Sequence, residues 1–148
     1  GDVYKRQAGL VAALEALARD VHRDGLHVSV DVDGEPRRLA PETELALYRI
    51  VQEAVHNAAR HAQASRVRIG VVFGEGVAVR VQDDGIGFVA PERVGDLAEA
   101  GHYGLIGMHE RAQLVGAHLV IGSRPGTRPG TGIGTTVEVH LHSGKPPG

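Results

Sequence analysis

The sequence has no cysteine and no tryptophan, and aromatic residues make up only 3% of its 148 positions. Without cysteine there is no disulfide framework and no thiolate metal centre, which is compatible with a reducing compartment. So few rings argue against nucleic-acid binding by base stacking, which needs aromatic platforms. A bias of charge is missing as well. Sixteen basic and 18 acidic residues leave a formal net charge of −2, with no broad attraction to nucleic acid or to an anionic membrane. No apolar run approaches the ~20 residues that span a bilayer, and no signal-peptide pattern opens the chain.

What is present is ordinary for a globular domain: 42% apolar and 23% charged residues. The length suits one domain with a core of Val, Leu, Ile and Ala. Residue 1 is Gly rather than Met, and residues 1–7 resemble nothing that follows, so the start reads as a truncation. Leu10, Val11, Leu14, Leu17, Ala18 and Val21 make a helical stripe that Gly25 ends. His22-Arg23-Asp24 imitates a protein-kinase catalytic loop, but the Asn needed five residues after the Asp is replaced by Ser29. Nor does His22 sit mid-helix, as a phospho-acceptor histidine should.

The strongest helix signal begins at Pro41, with Glu42 and Glu44 near its positive end, and runs to about Ala62. Leu47, Ile50, Val51, Ala54 and Ala58 form its apolar stripe. Glu53, Asn57 and His61, four residues apart, form a polar column along the flank. Strands are expected over His27–Asp33, Val67–Phe73, Val77–Val81, His118–Ile121 and Thr135–His142, with Gly74-Glu75-Gly76 closing a hairpin. A further helix starts at Gly104 and ends near Gly116, after a long irregular stretch from Phe88 to Tyr103. The order predicts an α+β protein: a two-layer α/β sandwich whose mixed, mostly antiparallel sheet carries its helices on one face.

Three glycine-rich pieces follow the polar column: Asp83-Asp84-Gly85-Ile86-Gly87, Gly104-Leu105-Ile106-Gly107 and Gly132-Ile133-Gly134-Thr135. Singly, each is ordinary turn chemistry. None is a phosphate-cradling P-loop, for no Gly-Lys-Ser/Thr occurs. His118, His140 and His142 have no carboxylate partners at metal-ligand spacing and are expected to be exposed strand residues.

Taken in order, the pieces resemble the ATP-binding domain of sensor histidine kinases, of the GHKL (Bergerat-fold) superfamily shared by gyrase, Hsp90 and MutL. Glu53-x-x-x-Asn57-Ala58 matches the N box, Asp83-x-Gly85-x-Gly87 and Gly104-Leu105-x-Gly107-Met108 the two glycine boxes, and Gly134-Thr135-x-Val137 the last motif. Leu47–Ala54 and Gly104–Ala112 look like the subfamily that pairs with NarL-type response regulators. The resemblance spans residues 26–142, leaving 1–25 as leader and remnant of a missing dimerisation hairpin and 143–148 as a tail.

The resemblance implies Mg-ATP as the bound nucleotide, with Asn57 holding Mg2+ and Glu53 acting as base or water-holder. Asp83 would meet the adenine amino group, with Gly85 and Gly87 admitting the purine. Gly104, Leu105, Gly107 and Met108 would form the phosphate-side helix start, with Arg60 and Thr135 as phosphate contacts. His61 stays open between a phosphate-side contact and a cap on the column. Phe88 to Tyr103 would be the ATP lid. The implied partners are an upstream phospho-acceptor domain in a homodimeric parent and a NarL-type response regulator, with no nucleic acid. A cytoplasmic location is implied, whether or not the parent is anchored in a membrane. The isolated piece is expected to bind nucleotide without efficient autophosphorylation. A serine kinase of the anti-sigma type, built on the same fold, is the alternative; an ATP-driven clamp is disfavoured, because its following transducer domain is absent from the sequence.

Overall fold

The computed structural model describes residues 2–23, 25–60, 63–85, 103–123 and 134–142. Its elements run α1 (Asp2–Val21), β1 (His27–Asp33), α2 (Pro41–Arg60), β2 (Arg66–Phe73), β3 (Val77–Asp83), α3 (Tyr103–Leu114), β4 (His118–Ser123) and β5 (Thr135–Leu141). The strands form one sheet in the order β1-β2-β3-β5-β4. β1 and β2 are parallel, because α2 carries the chain back between them; every other pairing is antiparallel. This is the mixed, mostly antiparallel sheet that the element order predicts.

One core holds the layers together. Val67, Ile69, Val71 and Phe73 of β2, Val77, Val79 and Val81 of β3, and Val137 and Val139 of β5 alternate inward. They meet the apolar stripe of α2, where Leu47, Ile50, Val51, Ala54, Val55 and Ala58 are all buried. Leu105, Met108 and Ala112 bring α3 onto the same core. The outward face mixes polar residues with exposed Val32, Val72 and Val120, and Arg80 pairs with Glu138 across β3 and β5 at 3.5 Å.

The first helix departs from its expected start. It extends back to Asp2, but Gly9 breaks it with φ 64° and ψ −144°. Leu10, Leu14 and Leu17, expected in a remnant helix or linker of a missing dimerisation hairpin ahead of the domain, are buried in the same core as the sheet. The helical stretch after Gly9 therefore packs as a layer of this unit. The Arg38–Glu44 ion pair, 2.9 Å long, lies beside that break, and Glu44 also accepts from Leu39 N at 3.3 Å.

Candidate functional site

The alternation along β3 decides which polar residue faces inward. The period that buries Val77, Val79 and Val81 also turns Asp83 inward, leaving it 8% exposed. It is the one buried charged residue among those described. Its Oδ1 accepts from Gly85 N at 2.9 Å and from Thr135 N at 3.2 Å. No described residue donates to Oδ2. Gly134 is pressed against this carboxylate, for a Cβ there would fall 2.6 Å from Oδ1 and closer still to the Asp83 carbonyl oxygen. Burial pushes the Asp83 carboxyl above the usual range, against the two backbone donors that favour its ionised form, while the neighbouring Asp84 charge adds to the rise.

Asp84, one residue on, is a fastener. Its Oδ1 accepts from Ser65 N at 2.8 Å and Arg66 N at 2.9 Å, and its Oδ2 from Ser65 Oγ at 2.5 Å. These bonds tie the end of β3 to the entry of β2. Partial burial acts to raise this carboxyl, but the bonds from Ser65 and Arg66 outweigh it and hold Asp84 below the usual range. Nothing in the motif marks this clamp, for Asp84 stands at its spacer position.

α2 carries Glu53 and Asn57, both half-buried and one turn apart. Glu53 reaches across to α3, whose own first turn has no acid. A Cβ on Gly104 would overlap the Glu53 carboxylate, with Cδ 2.9 Å away. Gly104 thus admits a carboxylate from another helix to the positive end of α3, where an anion is favoured by the exposed N–H groups. The flank of α2 that carries Glu53 and Asn57 is joined to the start of α3 by this contact.

The remaining expected site residues divide by position. Gly85 is buried and closes the turn onto Asp83. Leu105 and Met108 point into the core, Met108 with no exposure at all, so they seat α3 rather than line a surface. Thr135, expected at phosphate, is placed at Asp83 through its backbone N–H. Arg60 is exposed at the end of α2. His61, Gly87 and the expected lid from Phe88 to Tyr103 lie outside the described residues, except Tyr103, which opens α3.

Residues 42–145 match the family described as Histidine kinase-, DNA gyrase B-, and HSP90-like ATPase. The chain belongs to this family. It is 34% identical over 118 residues to the oxygen sensor histidine kinase NreB of Staphylococcus carnosus, covering 78% of this chain and 33% of that protein. It is 36% identical over 109 residues to the nitrate/nitrite sensor protein NarX of Escherichia coli, covering 72% of this chain and 17% of NarX. The ATP binding domain of PrrB from Mycobacterium tuberculosis superposes with a TM-score of 0.67 at 20% identity, covering 93% of this chain and 96% of that one, and so shares the fold. The chain spans a third or less of the length of these curated relatives. No helix among the described residues is long and apolar enough to cross a membrane.

Proposed function

We propose that this chain is the ATP-binding catalytic domain of a two-component sensor histidine kinase. In this reading it passes the γ-phosphoryl of Mg-ATP to a histidine on a separate dimerisation domain of a homodimeric parent. The observation that carries the reading is the state of Asp83: a buried carboxylate with one oxygen saturated by backbone donors and the other facing no described donor. An amino group on a flat base would satisfy that second oxygen, and glycine at 134 leaves room beside the carboxylate.

Asn57 offers a half-buried carboxamide oxygen, which fits Mg2+, a cation that takes oxygen ligands and retains several waters. Bound there with the nucleotide, the ion would offset phosphate charge. The first turn of α3 would supply backbone donors to the phosphates. Glu53 would accept a hydrogen bond from the acceptor imidazole, orient its attacking nitrogen and take up the proton released as the phosphoryl group moves. A parent that pairs with a NarL-type response regulator and places this domain in the cytoplasm completes the reading. The anti-sigma alternative is not favoured, since NreB is named a histidine kinase and NarX a sensor protein.

Titrating ATP into the chain with and without Mg2+ tests the assignment. The chain should bind Mg-ATP, and Asn57→Asp should change the Mg2+ dependence of that binding. In the parent protein, Glu53→Gln should lower phosphoryl transfer by about a hundredfold or more while leaving nucleotide affinity nearly unchanged. Transfer of label from ATP onto His22 in the isolated chain would contradict the assigned division of labour.

A further inference from the structure

The middle of α3 contains a glycine where helix propensity favours almost anything else. Gly107 is a helix-interior position, where glycine is markedly less favourable than alanine. Its missing side chain has an occupant. A Cβ on Gly107 would lie 2.8 Å from Nη1 of Arg111, so the guanidinium is laid back along the helix over Gly107. Side chains on a helix lean toward its N-terminus, and residues 104, 107 and 111 share one stripe. The arginine thereby lies over Gly107, one turn from the end of α3 where Gly104 meets Glu53.

Arg111 is half-buried, and it makes no hydrogen bond or ion pair with any described residue. The chain's lysines are Lys5 and Lys145, far from it in sequence, and Arg60 is exposed at the end of α2. The carboxylate of Glu53 adds negative charge where a phosphate chain would have to sit. Even with one Mg2+, a nucleotide triphosphate stays negative, so Glu53 and a terminal phosphoryl group repel one another unless a cation lies between them.

We propose that Arg111 is a phosphate-contacting residue of the nucleotide site, reaching the phosphate chain along the groove that Gly107 leaves open on α3. The proposal rests on the Mg-ATP reading above. A planar guanidinium can hold two phosphate oxygens at once, which a lysine at the same place cannot reproduce.

The test is calorimetric titration of Mg-ATP, Mg-ADP and adenosine into the wild-type chain, Arg111→Met and Arg111→Lys. Methionine keeps the packed stem and removes the charge. Arg111→Met should weaken Mg-ATP by about tenfold or more and leave adenosine within about twofold, with Arg111→Lys in between. Equal losses for Mg-ATP and adenosine would mark Arg111 as a purely structural residue and overturn the proposal. So would an unchanged Mg-ATP affinity in Arg111→Met beside a wild type that binds. A wild type that takes up no Mg-ATP would remove the underlying reading together with the proposal.

Discussion

Asp83 and Asp84 are neighbours in sequence with the same chemistry, and the fold gives them opposite tasks. Asp83 faces the core, shares one oxygen between two backbone donors and is pushed toward its neutral form by burial. Asp84 faces the other way, collects three donors from Ser65 and Arg66 and is held ionised. The difference follows from the two-residue period of β3, which turns Asp83 inward, and from the strand's end at Asp83, which leaves Asp84 beside Ser65 and Arg66. A carboxylate that is buried and left with open acceptor capacity is suited to a ligand; one that is saturated by its own backbone is suited to holding a sheet together.

The largest expected effect separates the two on binding. Asp83→Asn keeps the shape and can still accept from Gly85 and Thr135 through its carbonyl oxygen. The outward atom becomes an NH2 donor facing an amino group. ATP affinity should fall by about 30-fold or more, with no loss of stability in denaturant. The reciprocal variant, Asp84→Ala, should lose about 2 kcal/mol of unfolding free energy and bind ATP within a few-fold of wild type. If Asp84→Ala lost ATP affinity as steeply as Asp83→Asn, the division between site and fastener would be wrong.

A similar loss of stability is expected at Gly134, which belongs to the first member of the pair. Alanine there would press on Asp83 backbone as well as its carboxylate, and backbone cannot yield as a flexible side chain does. Overpacking of this kind costs about 1–3 kcal/mol, and here it should lower ATP affinity too. Ser65→Ala removes the Oγ bond to Asp84 while leaving both backbone donors, so a loss of about 1 kcal/mol with unchanged ATP affinity is expected.

Acid sharpens the comparison with the smallest effect. The folded-state carboxyl of Asp84 lies below its ordinary value, so its stabilisation is present above the usual carboxylate range and is lost as pH falls through the folded value. Asp83 lies above its ordinary value, so its contribution has the opposite sign: full below the usual range and lost as pH rises through the folded value. Denaturant curves for Asp84→Asn should therefore converge on wild type as the solution is acidified. The curves for Asp83→Asn should match or exceed wild type at neutral pH, where its buried charge is absent.

Much of this arrangement could be read from the chain, and the exceptions have physical causes. The apolar spacing of α2 was sufficient to place Leu47, Ile50, Val51, Ala54 and Ala58 in the core, since a stripe of that strength leaves one orientation. The hairpin between β2 and β3 followed from Gly74 and Gly76 flanking one residue, and Gly74 N donates to Gly76 O at 2.9 Å. Other features depend on pairs distant in sequence. That Thr135 lies against Asp83 depends on β5 inserting between β3 and β4, an order that periodicity does not report. That Gly104 accommodates Glu53, or that α1 beyond Gly9 joins the core, depends on how helices dock. Arg111 has one legible signal, a glycine four residues earlier in a helix, but its place over that glycine depends on a rotamer that spacing does not report.

The most direct measurement is ATP titrated by calorimetry into wild type, Asp83→Asn and Asp84→Asn in parallel, with unfolding curves on the same samples. The account predicts that Asp83→Asn loses nucleotide but keeps its stability, and that Asp84→Asn loses stability but keeps its nucleotide. Equal ATP affinity in wild type and Asp83→Asn would contradict it.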